Sequence, residues 1–358
     1  MKIGILGLPS SGTSTMFSIV AGQEASVGTA RPDKPRVATV KVPDERIDWL
    51  SAHYRPKKTT YTDVEFVDFA GVRTGATPGQ AFSPAFLNVL RTMDGLLMTI
   101  RMFHDESVFH PEGSIDAARD VAMIDTEFML ADLQVAESRR DRLRKNVARG
   151  LKDDARELEL LERVVAQLED GNPLSSLSLG AEDEACLRGY SFLTLKPVVI
   201  LLNVDENGFS RADELASNLA SVARERSIVS LCASVEQEIA QLDPDDQLEF
   251  LQDVGLSEPA RTRLIRVCFE LLGLICFFTV GDDEVRGWTL RRGSTALKAA
   301  GRIHSDLERG FIRAEVFAYQ DLRRLGDLPN VKKEGLWRLE GKEYVVRDGD
   351  VLCIRFNA

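Results

Sequence analysis

The sequence lacks the cysteine pattern of a disulfide-stabilised or zinc-binding protein. Its five cysteines are scattered, are odd in number and never form a C-x-x-C pair; they are Cys186, Cys232, Cys268, Cys276 and Cys353. This usage fits a reducing cytoplasm and argues against a zinc site.

Long apolar segments are absent as well. The longest stretch, residues 271–280, is far short of the roughly 20 residues that a membrane-spanning helix requires. The apolar run at the N-terminus ends at Pro9 without the hydrophobic region and cleavage site of a signal peptide. We therefore expect a cytoplasmic protein with no membrane segment.

An excess of positive charge is the third missing feature. The 45 Lys and Arg residues are outnumbered by 56 Asp and Glu, which gives a net charge of −11. This balance argues against a nucleic-acid binder that works through overall charge, although a local basic face could still contact phosphates. What is present is ordinary globular composition, with 44% hydrophobic and 28% charged residues among 358, which allows two or three domains.

Short apolar runs typical of β-strands alternate with helical stretches. They lie at residues 3–6, 37–42, 64–69, 96–100, 198–202 and 228–231. Such alternation predicts an α/β domain with a mostly parallel sheet and ligand-binding loops at the strand ends.

The alternation is interrupted once and later replaced. From about residue 116 to 186, apolar residues follow helical i, i+3, i+4, i+7 spacing, which predicts an inserted helical hairpin. A further helical stretch covers 247–272, and then strand patterns (277–280, 285–290, 312–319, 344–346 and 352–356) with one helix near 294–308 predict a small mixed sheet. The predicted domains are 1–115 with 187–272, the hairpin 116–186, and 273–358.

The predicted hairpin carries a basic run. Its members are Arg139, Arg140, Arg142, Arg144, Lys145, Arg149 and Lys152. A solvated helix face and a patch that contacts phosphates explain this run equally well.

A glycine-rich loop directly follows the first predicted strand. Residues 7–15 read G-L-P-S-S-G-T-S-T, close to the phosphate-binding pattern G-x-x-x-x-G-K-[ST], whose backbone N–H groups surround phosphates at a helix N-terminus. The lysine position is Thr13. The loop's predicted nucleotide-binding residues are Gly7, Pro9, Ser11, Gly12, Thr13, Ser14 and Thr15.

Two further elements follow strands, as in a nucleotide-binding sheet. Asp68 and Gly71 fit a D-x-x-G element, in which the Asp holds Mg²⁺ and the Gly N–H faces the terminal phosphate. We therefore predict Mg²⁺ with ATP or GTP, held by Ser14 and Asp68. Asn203 and Glu206 stand where N-K-x-D would read the base; Glu in the fourth position does not ensure guanine preference.

Together these motifs resemble the YchF family, the Obg-like ATPases among the P-loop GTPases. The resemblance covers nearly the whole chain. Its specific runs are 65–71, 112–116, 191–197, 203–209 and 232–236 and, for the C-terminal TGS domain, 278–281, 284–289, 299–306, 308–316 and 348–351.

The resemblance implies fold, ligand and partner. It implies a P-loop nucleotide-binding domain, an inserted helical hairpin and a ubiquitin-like β-grasp TGS domain. Family members bind ATP in preference to GTP and associate with the ribosome, so the hairpin and TGS domain become candidate contacts to ribosome or rRNA. Cys232 and Ala233 match the family's base-contacting loop, and His110 matches its catalytic histidine; the alternative is an ordinary loop histidine.

The sequence departs from the family on the phosphate side. Thr13 replaces the lysine, Thr29 is the nearest substitute for the switch I threonine, and residues 79–86 differ from the family's switch II run. Val72 keeps the family's hydrophobic residue in place of a water-positioning glutamine, and Lys34 is one candidate replacement cation. Loss of the lysine contact alone corresponds to ~10- to ~150-fold weaker triphosphate binding, and hydrolysis is more vulnerable.

Two functions remain open from the sequence. One is a weak ATPase of the YchF type that binds purine nucleotide and acts on the ribosome. The other is a non-catalytic pseudo-NTPase whose hairpin and TGS domain form an interaction module for ribosome, RNA or protein. The altered phosphate-side motifs favour the second, whereas Ser14, Asp68, Gly71, Glu206 and His110 favour the first.

Overall fold

The structure is a computed structural model. It describes residues 1–22, 26–27, 35–69, 82–151, 154–239, 242–253 and 258–357. Five residues named above lie outside the described residues: Thr29, Lys34, Gly71, Val72 and Lys152.

The described chain alternates strands and helices. The strands are β1 (Lys2–Leu6), β2 (Ser26–Val27), β3 (Arg36–Lys41), β4 (Lys58–Thr60), β5 (Asp63–Asp68), β6 (Gly95–Met102), β7 (Val198–Val204), β8 (Ile228–Cys232), β9 (Leu274–Thr279), β10 (Glu284–Arg291), β11 (Phe311–Ala318), β12 (Arg338–Glu340) and β13 (Asp350–Phe356).

The α-helices range from one to nine turns. They are α1 (Thr13–Ala21), α2 (Glu45–Tyr54), α3 (Pro84–Leu90), α4 (Ala117–Ala148), α5 (Ala155–Glu169), α6 (Ala181–Leu187), α7 (Glu206–Phe209), α8 (Ala212–Asn218), α9 (Ala220–Ala223), α10 (Ala233–Ile239), α11 (Pro244–Asp253), α12 (Ala260–Leu271), α13 (Ala296–Ile303), α14 (Ser305–Arg309), α15 (Tyr319–Leu325) and α16 (Leu328–Lys333). Short 3₁₀ turns occupy Leu174–Ser176, Arg188–Tyr190 and Leu193–Leu195. None of these described helices combines the length and apolar character that a membrane crossing requires.

The chain divides into two compact units. The first contains Met1–Thr39 and Glu65–Leu264, and the second contains Val40–Val64 and Ile265–Ala358. The predicted N-terminal domain, 1–115, therefore includes a segment that packs elsewhere. This segment belongs to the second unit because β4 pairs with β10 in parallel and α2 buries Ile47 and Leu50 in the core of that unit.

The first unit is built on a seven-stranded sheet. Its order is β2-β3-β5-β1-β6-β7-β8, and β1 pairs in parallel with both β5 and β6. Every residue of β7 is buried, as expected for a parallel strand covered on both faces. The predicted, mostly parallel α/β sheet is thus confirmed. The loops after β1, β5, β6, β7 and β8 follow the carboxyl ends of their strands, which place ligand sites in such sheets.

The interruption between β6 and β7 is helical. Helices α4 and α5 are joined by residues 149–154 and fold back on each other around a core that includes Ala136, Leu143, Leu161 and Val165. Asp116 starts α4 by accepting the Arg119 N–H at 3.0 Å, a normal N-cap arrangement. The helical spacing in the sequence therefore predicted these two helices correctly.

The second unit contains a mixed six-stranded sheet of order β12-β11-β13-β9-β10-β4. Two sequence predictions fail in it. Residues 344–346 form no strand but a single bridge between Val345 and Thr295, and the predicted helix 294–308 is divided at His304, whose Nδ1 accepts the Asp306 N–H and starts α14. Two short helices, α15 and α16, were not predicted.

Candidate nucleotide-binding site

The glycine-rich loop lies between β1 and α1. The Ser11 N–H donates to the Leu8 carbonyl at 3.2 Å, and the Met16 N–H donates to the Gly12 carbonyl at 2.9 Å to begin the helix. Gly12 has a φ of 91°, a left-handed conformation that glycine adopts without steric cost. The chain therefore turns tightly and enters the helix from Gly12, an N-cap residue that has no side chain to bond the first N–H groups.

Asn203 fixes this loop from the end of β7. Its Nδ2 donates to the Ser11 carbonyl at 3.0 Å, and the side chain is 3% exposed. A Cβ at Gly12 would overlap Nδ2 of Asn203, so the loop needs glycine for close approach as well as for φ. The sequence placed Asn203 in the base-reading motif, and the structure gives it a positioning role on the phosphate loop.

Thr13 lies at the position of the missing lysine. It is 2% exposed, and a Cβ at Gly7 would come within 3.1 Å of Thr13 Cγ2. The same Cβ would overlap Ser11 Oγ and the Thr99 carbonyl. The Thr13 side chain therefore packs inside the loop, where it supplies volume and no charge.

Asp68 and Ser14 come together as the sequence predicted, and Arg36 joins them. Asp68 is fully buried at the end of β5. Its Oδ2 accepts from Ser14 Oγ at 3.3 Å, from Arg36 Nε at 3.1 Å and from Arg36 Nη2. Sequence reasoning missed Arg36 and considered Lys34 instead. A signal was available, since Arg36 begins the strand that follows the altered switch I segment.

A magnesium ion does not fit this arrangement of residues. P-loop proteins hold Mg²⁺ through the loop Ser or Thr and an Asp at the end of a neighbouring strand, which here are Ser14 and Asp68. The guanidinium already neutralises that carboxylate with two N–H groups. A divalent cation on the same oxygen would face a positive charge at close range. One of the two predicted metal ligands, Asp68, is therefore already paired with Arg36.

The loops after β7 and β8 form the opposite part of the site. Val204 and Cys232 are register partners, so the segments that begin with Asp205 and Ala233 are neighbours. Asp205 accepts the Gly208 N–H at 2.7 Å and starts α7, which leaves Glu206 exposed in the first turn. Cys232 is buried, and its Sγ lies 3.2 Å from Ser234 Oγ. The structure thus brings Glu206, Cys232 and Ala233 to adjacent strand ends.

His110 is held between its own loop and the first turn of α4. It is 8% exposed; Nδ1 accepts the Glu112 N–H at 3.1 Å, and Nε2 lies 3.3 Å from Asp120. Asp120 also pairs with Arg119 at 2.8 Å. Both ring nitrogens are engaged here, and a catalytic role for His110 stays a prediction.

Glu236 connects the two parts of the site. This buried carboxylate accepts the N–H groups of Ala260 at 2.8 Å and Arg261 at 3.2 Å, and burial raises its pKa above the ordinary value. Arg261 in turn donates from Nε to the Val20 carbonyl at the end of α1 at 3.1 Å. A continuous set of bonds therefore runs from the helix after β8 to the helix behind the phosphate loop.

The basic run on α4 is partly neutralised. Arg139 pairs with Glu157 at 2.9 Å, Arg144 with Glu162 at 2.9 Å, and Arg140 with Glu137 and Asp141. Within the described part of the chain, three exposed cations of the run form no ion pair. They are Arg142, Lys145 and Arg149, whose spacing of three and four residues places them on one face of the helix.

The loop between β1 and α1, at the carboxyl edge of a parallel sheet, defines a P-loop nucleotide-binding fold. The chain belongs to the YchF family. It is 41% identical to "Ribosome-binding ATPase YchF" of Pasteurella multocida over 99% of each chain. It is 36% identical to "Obg-like ATPase 1" of Oryza sativa subsp. japonica over 100% of this chain and 92% of the relative.

Structural comparison gives the same family. The YchF GTPase of Schizosaccharomyces pombe superimposes with a TM-score of 0.89 at 30% identity, over 99% of this chain and 97% of the other. The family model YchF-GTPase_C, described as "Protein of unknown function (DUF933)", matches residues 274–357. That match fits the predicted TGS-like β domain and confirms the family resemblance.

Proposed function

We propose that this protein is a cytoplasmic, ribosome-associated nucleotide-binding protein of the YchF type, which prefers ATP to GTP and hydrolyses it weakly. The observation that carries the proposal is the intact phosphate loop. Asn203 holds the loop through the Ser11 carbonyl, and Gly12 keeps the backbone turn that leads into α1. Backbone N–H groups at a helix N-terminus bind phosphate without a side chain at position 13.

Weak hydrolysis follows from charge rather than from shape. Thr13 brings no positive charge to the β- and γ-phosphates, and such charge matters more to the transition state than to the bound state. One ring nitrogen of His110 accepts from Glu112 in its own loop, and the other faces Asp120 in the first turn of α4. ATP preference is supported by Glu206, which replaces the Asp that accepts the two N–H donors of guanine in related proteins.

Calorimetric titration with ATP, GTP and ADP, with and without Mg²⁺, tests nucleotide binding and base choice. We expect ATP to bind more tightly than GTP, and single-turnover hydrolysis to be slow. A Kd for GTP about tenfold below that for ATP, a difference of about 1.4 kcal/mol, would contradict the proposed base preference.

A non-catalytic interaction protein is the second candidate, and the ion pair between Arg36 and Asp68 favours it. This pair occupies the carboxylate that would otherwise help to organise hydrolysis. Nucleotide binding without detectable turnover, together with ribosome binding that is insensitive to nucleotide, identifies this function. Nucleotide-dependent ribosome binding with measurable turnover supports the first.

The names of the relatives support association with the ribosome, and the unpaired cations at the C-terminal end of α4 suggest where it occurs. We expect Arg142→Glu with Arg149→Glu to weaken co-sedimentation with ribosomes and to reduce its salt dependence, because phosphate contacts release counterions. The matched control is Arg188→Glu with Arg224→Glu, which changes the charge equally at exposed positions off α4. If both variants co-sedimented equally with ribosomes, we would conclude that the basic run is a solvated helix face and does not contact the ribosome.

A further inference from the structure

We propose that Arg36 is a built-in counter-cation of the phosphate site, so that nucleotide binding by this chain does not depend on Mg²⁺. The proposal rests on the proposed nucleotide-binding function. It adds Arg36 to the binding site and assigns to its guanidinium the positive charge that faces the phosphates. It starts from the conflict between the predicted magnesium ligands and the guanidinium that contacts one of them.

Arg36 is well placed for this role. Its guanidinium binds Asp68 Oδ2, the same oxygen that accepts from Ser14 in the first turn of α1. The guanidinium carbon lies 4.7 Å from the ring centroid of Phe17, a buried residue one turn further along α1. The side chain keeps 23% of its surface exposed. A positive charge is therefore held beside the start of α1 and remains accessible to a ligand.

The chemistry of the guanidinium suits this ligand. Arginine binds phosphate and carboxylate with the same forked N–H geometry. Arg36 uses Nε and Nη2 on Asp68 and has further N–H donors for a phosphate oxygen. It restores one positive charge to a site where Thr13 has replaced the lysine.

The same ion pair opposes a metal ion. A magnesium ion requires oxygen ligands at short distances and near-ideal octahedral geometry. Asp68 Oδ2 already accepts from Arg36 and Ser14, so a metal would have to displace a guanidinium or lie next to it. Mg²⁺ and the Arg36 guanidinium therefore exclude each other at Asp68 Oδ2, and the cation that this chain itself supplies is Arg36.

The test is calorimetric titration of the full chain with ADP, in Mg²⁺ and in EDTA. We expect the Kd of the natural protein to change by less than about threefold between the two conditions. Arg36→Gln should weaken binding in EDTA by about tenfold to a hundredfold, the loss expected for a charge-assisted hydrogen bond. Added Mg²⁺ should restore part of the affinity of this variant, because Asp68 becomes available.

Three further variants sharpen the result. Arg36→Lys keeps the charge but loses the fork, and we expect intermediate affinity. Asp68→Asn should strengthen binding in EDTA, because the guanidinium is no longer shared, whereas a metal-based site would lose affinity in Mg²⁺. Lys41→Gln removes a cation at the other end of β3 and is the matched control, with no change expected. Near-UV circular dichroism verifies that each variant is folded.

The outcomes separate the two proposals. If the natural protein requires Mg²⁺ for tight ADP binding and Arg36→Gln has no effect in EDTA, the counter-cation role is wrong and nucleotide binding stands. If the natural protein binds no adenine nucleotide under either condition, the proposed function fails and the role of Arg36 fails with it.

Discussion

The phosphate side and the base side of the candidate site differ in how they diverge from the family. The phosphate side comprises the loop 7–15 with Arg36 and Asp68, and the base side comprises the segments after β7 and β8. On the base side, Glu206, Cys232 and Ala233, which the sequence resemblance assigns to base contacts, lie at adjacent strand ends. On the phosphate side the backbone geometry persists, while the side-chain charge has been rearranged.

This difference shows that loop geometry and loop charge are separable. The backbone turn depends on Gly7, Gly12 and the bond from Asn203, none of which requires a lysine at position 13. The charge depends on side chains that reach the loop from other strands. A sequence can therefore lose its characteristic lysine and keep the backbone turn of a phosphate-binding loop.

The largest expected effect comes from breaking the geometry of the phosphate side. Gly12→Ala forces a side chain into a φ of 91° and against Asn203. We expect loss of about 2–4 kcal/mol in the free energy of unfolding, from strain and overpacking, and more than about a hundredfold in ATP affinity. Urea denaturation and calorimetry measure the two losses.

The matched control for this substitution is Gly171→Ala. Gly171 also has a positive φ, 72°, but a Cβ there meets no atom within 4 Å, so only about 1 kcal/mol of backbone strain is expected. Equal destabilisation by the two substitutions would contradict the role given to Asn203. In the Asn203→Ala background, the extra cost at Gly12 should shrink.

Restoring the lysine adds charge to the phosphate side and keeps the glycines that set its backbone turn. Thr13→Lys should tighten ATP binding by about tenfold or more, while hydrolysis rises only modestly because both switch segments differ from the family. Thr13→Met, with similar length and no charge, is the control. If the natural protein already hydrolyses ATP at the rate of the lysine variant, another cation performs the lysine's task in turnover.

A change on the base side should alter selectivity and leave phosphate affinity unchanged. Glu206→Asp should shift the ratio of GTP to ATP affinity toward GTP by about tenfold, the value of one charge-assisted hydrogen bond to the base. Glu206→Gln removes the charge and should not produce this shift. Competition calorimetry with both nucleotides measures the ratio of GTP to ATP affinity. If this ratio were unchanged in Glu206→Asp, residues other than Glu206 would select the base.

The smallest expected effect is a pH dependence of the free energy of unfolding that comes from Glu236, the residue that links the two sides of the site. Burial raises the pKa of Glu236, so the folded state binds this proton more tightly than the unfolded state. The stability contribution is therefore largest at low pH and is lost as the pH rises from the unfolded to the folded pKa. Glu236→Gln should flatten this part of the curve of unfolding free energy against pH. If the curve of Glu236→Gln kept the slope of the natural protein, groups other than Glu236 would cause the pH dependence.

Local pattern was enough to predict much of the fold. Six of the seven strands in the sheet of the first unit lie within two residues of the apolar runs, β2 was not predicted, and α4 and α5 follow the helical spacing. The glycine-rich loop could also be predicted from the sequence, because its strand, turn and helix are consecutive in the chain. Pattern failed at residues 344–346 and at β4, where short segments take their structure from partners far away in the sequence.

The sequence by itself determined the family, the P-loop and the loss of its lysine, since each depends on residue types at fixed spacing. Only the tertiary structure decided which side chains meet. Arg36 reaches Asp68 across 32 positions, because β3 and β5 are neighbours in the sheet. Asn203 reaches the loop across 192 positions. Spacing along a chain fixes local conformation, whereas contacts between distant side chains depend on the order in which strands assemble.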